Sequence, residues 1–238
     1  MRPTMNQFQV APEIFEKMPN ACFGVVVIRG IDNQKAYPAI SDFYQKIQEE
    51  LFEKLAGRKA KEYPPITPYR EAFQKLEINP NKFPPSIEAL SSRIEKGKWI
   101  PSINPIVDLG NAISLKYGIP LGAHDLDSAT APLEVRLSHP DDQFVPFGAT
   151  SPETIDSGEI LYVSGHQVKT RRWIWRQSEF GKITTHSTNI FFPLDGFEDI
   201  NGSDTKEARD ELATLLEHHF EVKPFVGWVN KENPTCSF

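Results

Sequence analysis

One stretch of the chain gathers polar side chains where a helical pattern runs into a loop: NPIVDLGNAISLKYGIPLGAHDLD, from Asn104 to Asp127. On a helix, three residues advance the chain by about 300°, so Asp108, Asn111 and Ser114 stand about 60° apart in succession. They line one strip of carboxylate, amide and hydroxyl, followed at once by Gly122, His124 and Asp125. Such a strip faces either solvent or a pocket, and spacing alone leaves both open. The amide of Asn111 offers donor and acceptor together, which suits it to hold a ligand's polar end. His124 is a candidate acid–base group or a loop histidine bonded locally. A second cluster joins Lys169, Arg171, Arg172, Arg176 and Lys182 with Trp173 and Trp175, and Gln177, Thr184 and Thr188 follow. It either meets a phosphate backbone or is the solvated face of a strand whose tryptophans are buried.

Other chemistries find no matching pattern. The histidines are His124, His139, His166, His186, His218 and His219, and no two stand four apart on a helix as a metal site of that kind requires. No metal and no cofactor is expected. There is no G-x-S-x-G elbow, no phosphate loop of the form G-x-x-x-x-G-K-[ST] and no G-x-G-x-x-G after a strand. Ser164-Gly165-His166 sets a hydroxyl beside an imidazole, but Ser-Gly between two strand patterns is what a hairpin turn needs. Cys22 and Cys236 form neither a disulfide framework nor a ligand spacing.

The elements that position these residues follow from periodicity. Ala21–Ile28 is an unbroken apolar run with the length of a buried strand. Ile40, Phe43, Tyr44, Ile47, Leu51, Phe52 and Leu55 recur at helical spacing between Ser41 and Gly57. Thr67-Pro68, Ser86 and Asn104-Pro105 each read as a helix cap and start, the last helix ending at Gly118. From Leu133 the texture becomes β: LEVRLS, GEILYVSG, QVKTRRWIW and TNIFFPL. A last helix, DTKEARDELATLLEHHF, carries Asp204 and Glu207 in capping-box positions, and EVKPFVGWV adds an edge strand. The fold class is α+β: N-terminal helices, then a mainly antiparallel or mixed β half, in a single domain spanning 1–238.

Composition supports a self-standing globular chain, with 39% hydrophobic and 24% charged residues. A net charge of −6 argues against a protein that coats nucleic acid nonspecifically. The run Ala21–Ile28 is far short of the roughly 20 residues that span a bilayer, so no membrane partner is expected. The opening MRPTMNQFQVAPEIF lacks the order of a signal peptide, which places the chain in the cytoplasm.

The segment N-x-x-S-L-K-Y-G-x-P-L-G-A-x-D-L-D resembles N-Y-V-x-L-E-L-G-Q-P-L-H-A-F-D in the B3/B4 editing domain of the bacterial phenylalanyl-tRNA synthetase β chain. VRLSHPDDQFVPFG and ITTHSTNIFF continue the similarity, so a core of about 66–195 is implied. TPYREAF, PSIEALSSR and RRWIWRQS are more like free-standing proteins built on this domain. The resemblance implies a trans-acting hydrolase that deacylates mischarged aminoacyl-tRNA, with the aminoacyl-tRNA or its amino-acid moiety as partner and no role for DNA. The family pocket uses an asparagine, a histidine and a distal glutamate. Asn111 matches the asparagine, Gly122 stands at the histidine position, and Phe192, Pro193 and Leu194 stand where the glutamate belongs. The resemblance therefore implies Asn111 and His124 as the catalytic candidates. Asp108, Ser114, Gly122, Asp125, Gln177, Thr184 and Thr188 would line the substrate, and Lys169, Arg171, Arg172, Arg176 and Lys182 would meet RNA. The alternative is a non-catalytic module that binds an amino acid or similar metabolite.

Overall fold

The computed structural model describes residues 6–238. The chain opens with β1 (Gln7–Val10), α1 (Pro12–Lys17), β2 (Ala21–Ile28) and α2 (Pro38–Leu55). Three helices follow, α3 (Thr67–Lys75), α4 (Ser86–Glu95) and α5 (Pro105–Tyr117). The β half comprises β3 (His124–Asp125), β4 (Leu133–Leu137), β5 (Ile160–Ser164), β6 (Gln167–Arg171), β7 (Arg176–Gln177) and β8 (Ile190–Phe197). It ends in α6 (Gly202–Phe220), β9 (Phe225–Val229) and β10 (Thr235–Ser237).

Two sheets result, ordered β3-β8-β2-β9 and β10-β1-β4-β5-β6-β7. All named pairings are antiparallel except β1 with β4, which makes the second sheet mixed. β2 and β8 pair through eight positions and are buried at every one, because each of their faces is covered. Val26, Ile28, Ile190, Phe192 and Leu194 pack against Ile106, Leu109 and Ile113 of α5 and Leu212 and Leu216 of α6. Phe23, Val25, Val27 and Phe191 turn the other way, toward Phe8, Val135 and Tyr162 of the six-stranded sheet. Alternation along a strand sends successive side chains to opposite faces, so a strand between two apolar layers is apolar throughout. Among the described residues no helix is long and apolar enough to cross a membrane.

Helix starts depart from the sequence expectation at three places. Ser86 and Thr67 are the first helical residues rather than caps, and neither side chain bonds a free backbone N–H at its helix start. Asn201, not Asp204, stands at the cap of α6, and its side chain makes no cap bond either. Two of these side chains bond back into the preceding turn instead: Asn201 Oδ1 accepts from the Phe197 N–H at 2.8 Å, and Thr67 Oγ1 donates to the Tyr63 carbonyl at 3.5 Å. Asn104 does cap α5, its side chain accepting from the Val107 N–H at 3.0 Å. Asn104→Ala is expected to cost about 1 kcal/mol of unfolding free energy, the usual worth of such a cap. A shift in the urea midpoint with an unchanged denaturant slope would measure it. Gly118 ends the helix at φ 69°, where an added Cβ would run into Pro65, so the turn into the site loop requires glycine.

The segment RWIW, from Arg172 to Trp175, is not strand. β6 ends at Arg171, and Arg172 and Trp173 take left-handed backbone angles, φ 48° and 61°. The side-chain alternation expected there is thereby cancelled. The turn instead tucks Trp173 fully into the core.

Candidate functional site

The site forms where one strand ladder is interrupted. β8 pairs on one side with β2 and on the other with β3, His124 opposite Phe191 and Leu121 opposite Leu194. That register sets Gly122 opposite Pro193. The Gly122 N–H donates to the Pro193 carbonyl at 3.0 Å, but a proline has no N–H to return the bond. Glycine supplies no side chain on its half of the pair either, and a cleft opens over the two residues.

Two connected chambers meet at this gap. The smaller, of about 90 Å³, is lined by Gly122, His124, Tyr162, Trp173, Pro193 and Asp195 among others. The larger, of about 330 Å³, lies between α5 and the loops bearing Phe147 and Lys182, with Asn111 in its wall. Leu121, Gly122, Trp175, Arg176 and Gln177 belong to both.

Side chains two residues apart on a strand share a face. His124 therefore shares the face of Gly122, and Asp195 that of Pro193. An ideal Cβ at Gly122 would lie 3.2 Å from His124 Nε2 and 3.2 Å from Pro193 Cγ, so the imidazole leans over the position that glycine leaves empty. The positions expected to lack a histidine and a carboxylate thus have both on their face, each displaced by one strand period. Because His124 pairs with Phe191, four residues before Asp195, the two groups are separated by about 13 Å of strand, with the cleft between them.

Both groups are withdrawn from water. His124 is 2% exposed, its Nδ1 is buried without a hydrogen-bond partner, and burial, aided by the Lys169 charge, lowers its titration to about 3. The ring is neutral at pH 7 and a weak base. Asp195 is also 2% exposed, and burial raises its carboxyl to about 7, opposed by hydrogen bonds from Tyr162 Oη at 2.7 Å and Trp173 Nε1 at 2.6 Å. Both bonds fall on Oδ1. Lys169 is fully buried, with Nζ donating to Gln167 Oε1 at 3.2 Å, and burial lowers it to about 8 against the pull of Asp125.

The polar strip of α5 does not act as one surface. Asp108 turns to the preceding loop and accepts from Ser102 Oγ at 2.5 Å and the Ile103 N–H at 2.9 Å. Ser114 Oγ donates to the Ile119 carbonyl at 2.6 Å and helps close the helix end. Asn111 alone of the three reaches a chamber, beside Tyr44, whose phenol burial pushes up to about 12 against the influence of the Asn111 amide. Gln177 lines both chambers, donating from Nε2 to the Ala123 carbonyl at 3.1 Å. Asp125 accepts from Ser187 Oγ at 2.6 Å, Thr188 Oγ1 donates to Asp127 at 2.9 Å, and Thr184 Oγ1 accepts from the His186 N–H at 3.2 Å. The first two hold the loop before β8 against β3 and the segment after it, the third is internal to that loop, and Asp125, Thr184 and Thr188 line neither chamber.

The basic cluster is divided by its carboxylate partners. Arg171 is buried against Glu159, Arg172 pairs with Asp156, Arg176 with Glu153 and Lys182 with Glu179. With Lys169 and Arg171 inside, the five do not make one exposed basic surface. Arg176 and Lys182 are the members that reach the larger chamber. Among the described residues no group of three or more His, Cys, Asp or Glu is placed to hold a metal ion. Asp195, Tyr162 and Leu121 were not among the sequence candidates; an acid within the apolar run IFFPLDGF is a legible sign of a buried carboxylate, but that it faces the cleft shows only in the register.

Fold and cleft together define an α+β domain whose cleft lies between two buried polar side chains, His124 and Asp195. The chain belongs to the B3/4 domain family, whose model matches residues 68–221. Among solved structures it is similar to an N-terminal fragment of the phenylalanyl-tRNA synthetase β subunit from Pyrococcus horikoshii. The identity is 12%, the TM-score 0.51, and the likeness covers 96% of this chain and 55% of that one. The chain thus spans about half of that fragment, and at this identity the likeness is one of fold. No curated protein matches. The family match leaves out β1, α1, β2, α2, β9 and β10, so the central strand that pairs with β8 comes from outside it.

Proposed function

We propose that the chain is a trans-acting deacylase of mischarged aminoacyl-tRNA, with the amino acid in the smaller chamber and the tRNA end at the larger. The observation that carries this reading is the pair of buried polar groups, His124 and Asp195, facing one cleft across the Gly122–Pro193 gap. Family membership supports it, as does the likeness of fold to a tRNA synthetase subunit.

The chemistry asked of the protein is modest. An aminoacyl ester is already activated, so holding water and carbonyl in line supplies much of the rate. Neutral His124 is too weak a base to carry the proton transfer by itself, but it can orient a water molecule. Asn111 and Gln177 provide amides for the ester and ribose hydroxyls. Arg176 and Lys182 are the cations placed to meet a terminal phosphate, and each would exchange a carboxylate partner to do so.

Wild type is expected to deacylate at least one member of a panel of mischarged tRNAs, and Asn111→Ala to do so roughly tenfold or more slowly. No turnover on any member sinks the enzyme reading. Equal rates for wild type and variant would remove the larger chamber from the site. The weak basicity of His124 favours a second reading, a non-catalytic module for a free amino acid or similar metabolite. Calorimetry with free amino acids beside the deacylation panel separates the two, because the module requires affinity for a free amino acid with no turnover of any mischarged tRNA.

A further inference from the structure

We infer that the smaller chamber is a receptor for a protonated amine, with Asp195 Oδ2 as its counter-ion and the rings of Tyr162 and Trp173 as its walls. This deepens the function proposed above by naming the group that enters the chamber. For a free amine it stands without that reading.

The case begins with the unequal use of one carboxylate. Tyr162 and Trp173 both donate to Oδ1, and no donor of the protein reaches Oδ2 among the described residues. Asp195 lines the chamber, and its side chain is otherwise enclosed, 2% exposed. No Lys, Arg or His bridges this carboxylate, whereas Glu159 has Arg171, Asp142 has Arg136, and buried Asp108 has a donor on each oxygen, from Ser102 Oγ and the Ile103 N–H. A carboxylate held in apolar surroundings without a counter-charge is costly as an anion, and burial accordingly holds its proton up to about pH 7. A ligand cation would remove that cost.

The walls fit the same ligand. A cation is attracted to the face of an aromatic ring, and most strongly in a desolvated site. Tyr162 and Trp173 line the chamber together with the carboxylate to which both are bonded. The opposite end holds His124, neutral at pH 7, whose Nε2 stands by the empty face of Gly122. Arg176, the cation among the lining residues, is drawn off by Glu153 and lies over the Trp175 ring at 5.7 Å. An alcohol or thiol gains little from ring faces and leaves the carboxylate's charge unmatched. An ammonium group uses both.

The amine has two possible sources: a free amine or amino-acid amide, and the α-ammonium of an ester-bound amino acid. Isobutylamine and isobutanol have nearly the same shape and differ in charge, and leucinamide and 4-methylpentanamide differ by the α-ammonium alone. Binding is read at pH 8 by calorimetry and by the fluorescence of the chamber tryptophans. Each amine is expected to bind about tenfold or more tightly than its neutral counterpart. Asp195→Asn is expected to abolish that preference. Gly122→Ala, which places a methyl group 3.2 Å from His124 Nε2 and Pro193 Cγ, is expected to abolish binding. Equal binding of amine and neutral probe by wild type, or binding of neither, overturns the inference even if both variants fail to fold. Amine preference that survives in Asp195→Asn also overturns it. Isobutylamine is expected to slow the deacylation of a mischarged tRNA. Selective amine binding by a protein that hydrolyses no tRNA would leave the receptor standing and remove the deacylase. Hydrolysis without amine preference would do the reverse.

Discussion

Glu159→Ala is expected to lower the unfolding free energy by about 3–5 kcal/mol, the cost of leaving a buried charge without its partner. Glu159 and Arg171 are buried together, with side chains 3% and 4% exposed. The guanidinium donates to both carboxylate oxygens, from Nε at 2.9 Å and Nη2 at 2.8 Å. The same carboxylate accepts from the Arg172 backbone N–H at 3.0 Å, where the chain enters its left-handed turn. Removing it therefore strands the Arg171 charge and frees the residues that aim Trp173 at Asp195. Equilibrium unfolding in urea measures the loss, and the fluorescence of Trp173 would report the displaced turn. A double variant, Glu159→Leu with Arg171→Met, is expected to recover most of the stability, because neither charge then needs the other. A loss below about 1 kcal/mol in the single variant would show that Glu153, 3.5 Å from Arg171 Nη1, takes over the charge.

How much of this was legible in the residues differs between elements and site. Long periodic segments were legible because their burial pattern is local: α2, α5 and α6 each repeat an apolar stripe over three turns or more, and β2 is apolar along its length. β1, β3, β7 and β10 were not, since two to four residues carry no period and are held as strands by pairing with distant segments. RRWIW looked like strand because a period of two sets Trp173 and Trp175 on one face and Arg172 on the other. A buried carboxylate at Glu159, twelve residues before Arg171, decides instead that the chain must turn. Gly122, His124, Asn111 and Gln177, singled out from residue type, neighbourhood and the family resemblance, all line the chambers. Asp108 and Ser114 share Asn111's face by spacing, but hydrogen bonds to Ser102 and Ile119 bind them elsewhere. Asp195 escaped notice because its value depends on a register: only when Gly122 is set opposite Pro193 does the period of two put His124 and Asp195 around one gap.

That arrangement has a signature in the pH dependence of stability, with opposite signs for the two groups. The Asp195 carboxyl is raised from 3.8 to about 7, so the folded chain holds a proton that the unfolded chain releases. Its contribution is fully present below pH 3.8 and is lost as pH rises through 7, up to about 4 kcal/mol in all. His124 is lowered from 6.5 to about 3, so the unfolded chain binds a proton that the folded chain refuses. Its contribution is fully present above pH 6.5 and is lost as pH falls through 3. Between pH 4 and 6.5 the two slopes, each about 1.4 kcal/mol per pH unit, oppose one another. Wild type thus hides both. The neighbours that share the interior with them are Lys169 beside His124, and Tyr162, Tyr69 and Cys22 around Asp195. The tyrosines, the thiol and the amine titrate above this window. Relative to wild type, Asp195→Asn is expected to lose about 3 kcal/mol of stability between pH 6.5 and 4.5, because His124 is then unopposed. His124→Gln is expected to gain a similar amount over the same interval, because the Asp195 proton is then unopposed. Urea midpoints at the two pH values measure each change, and parallel behaviour of the three proteins would mean that water reaches the cleft floor freely. A bound amine adds one further sign: it stabilises ionised Asp195, so the wild-type protein's gain from the ligand is expected to grow as pH rises through 7.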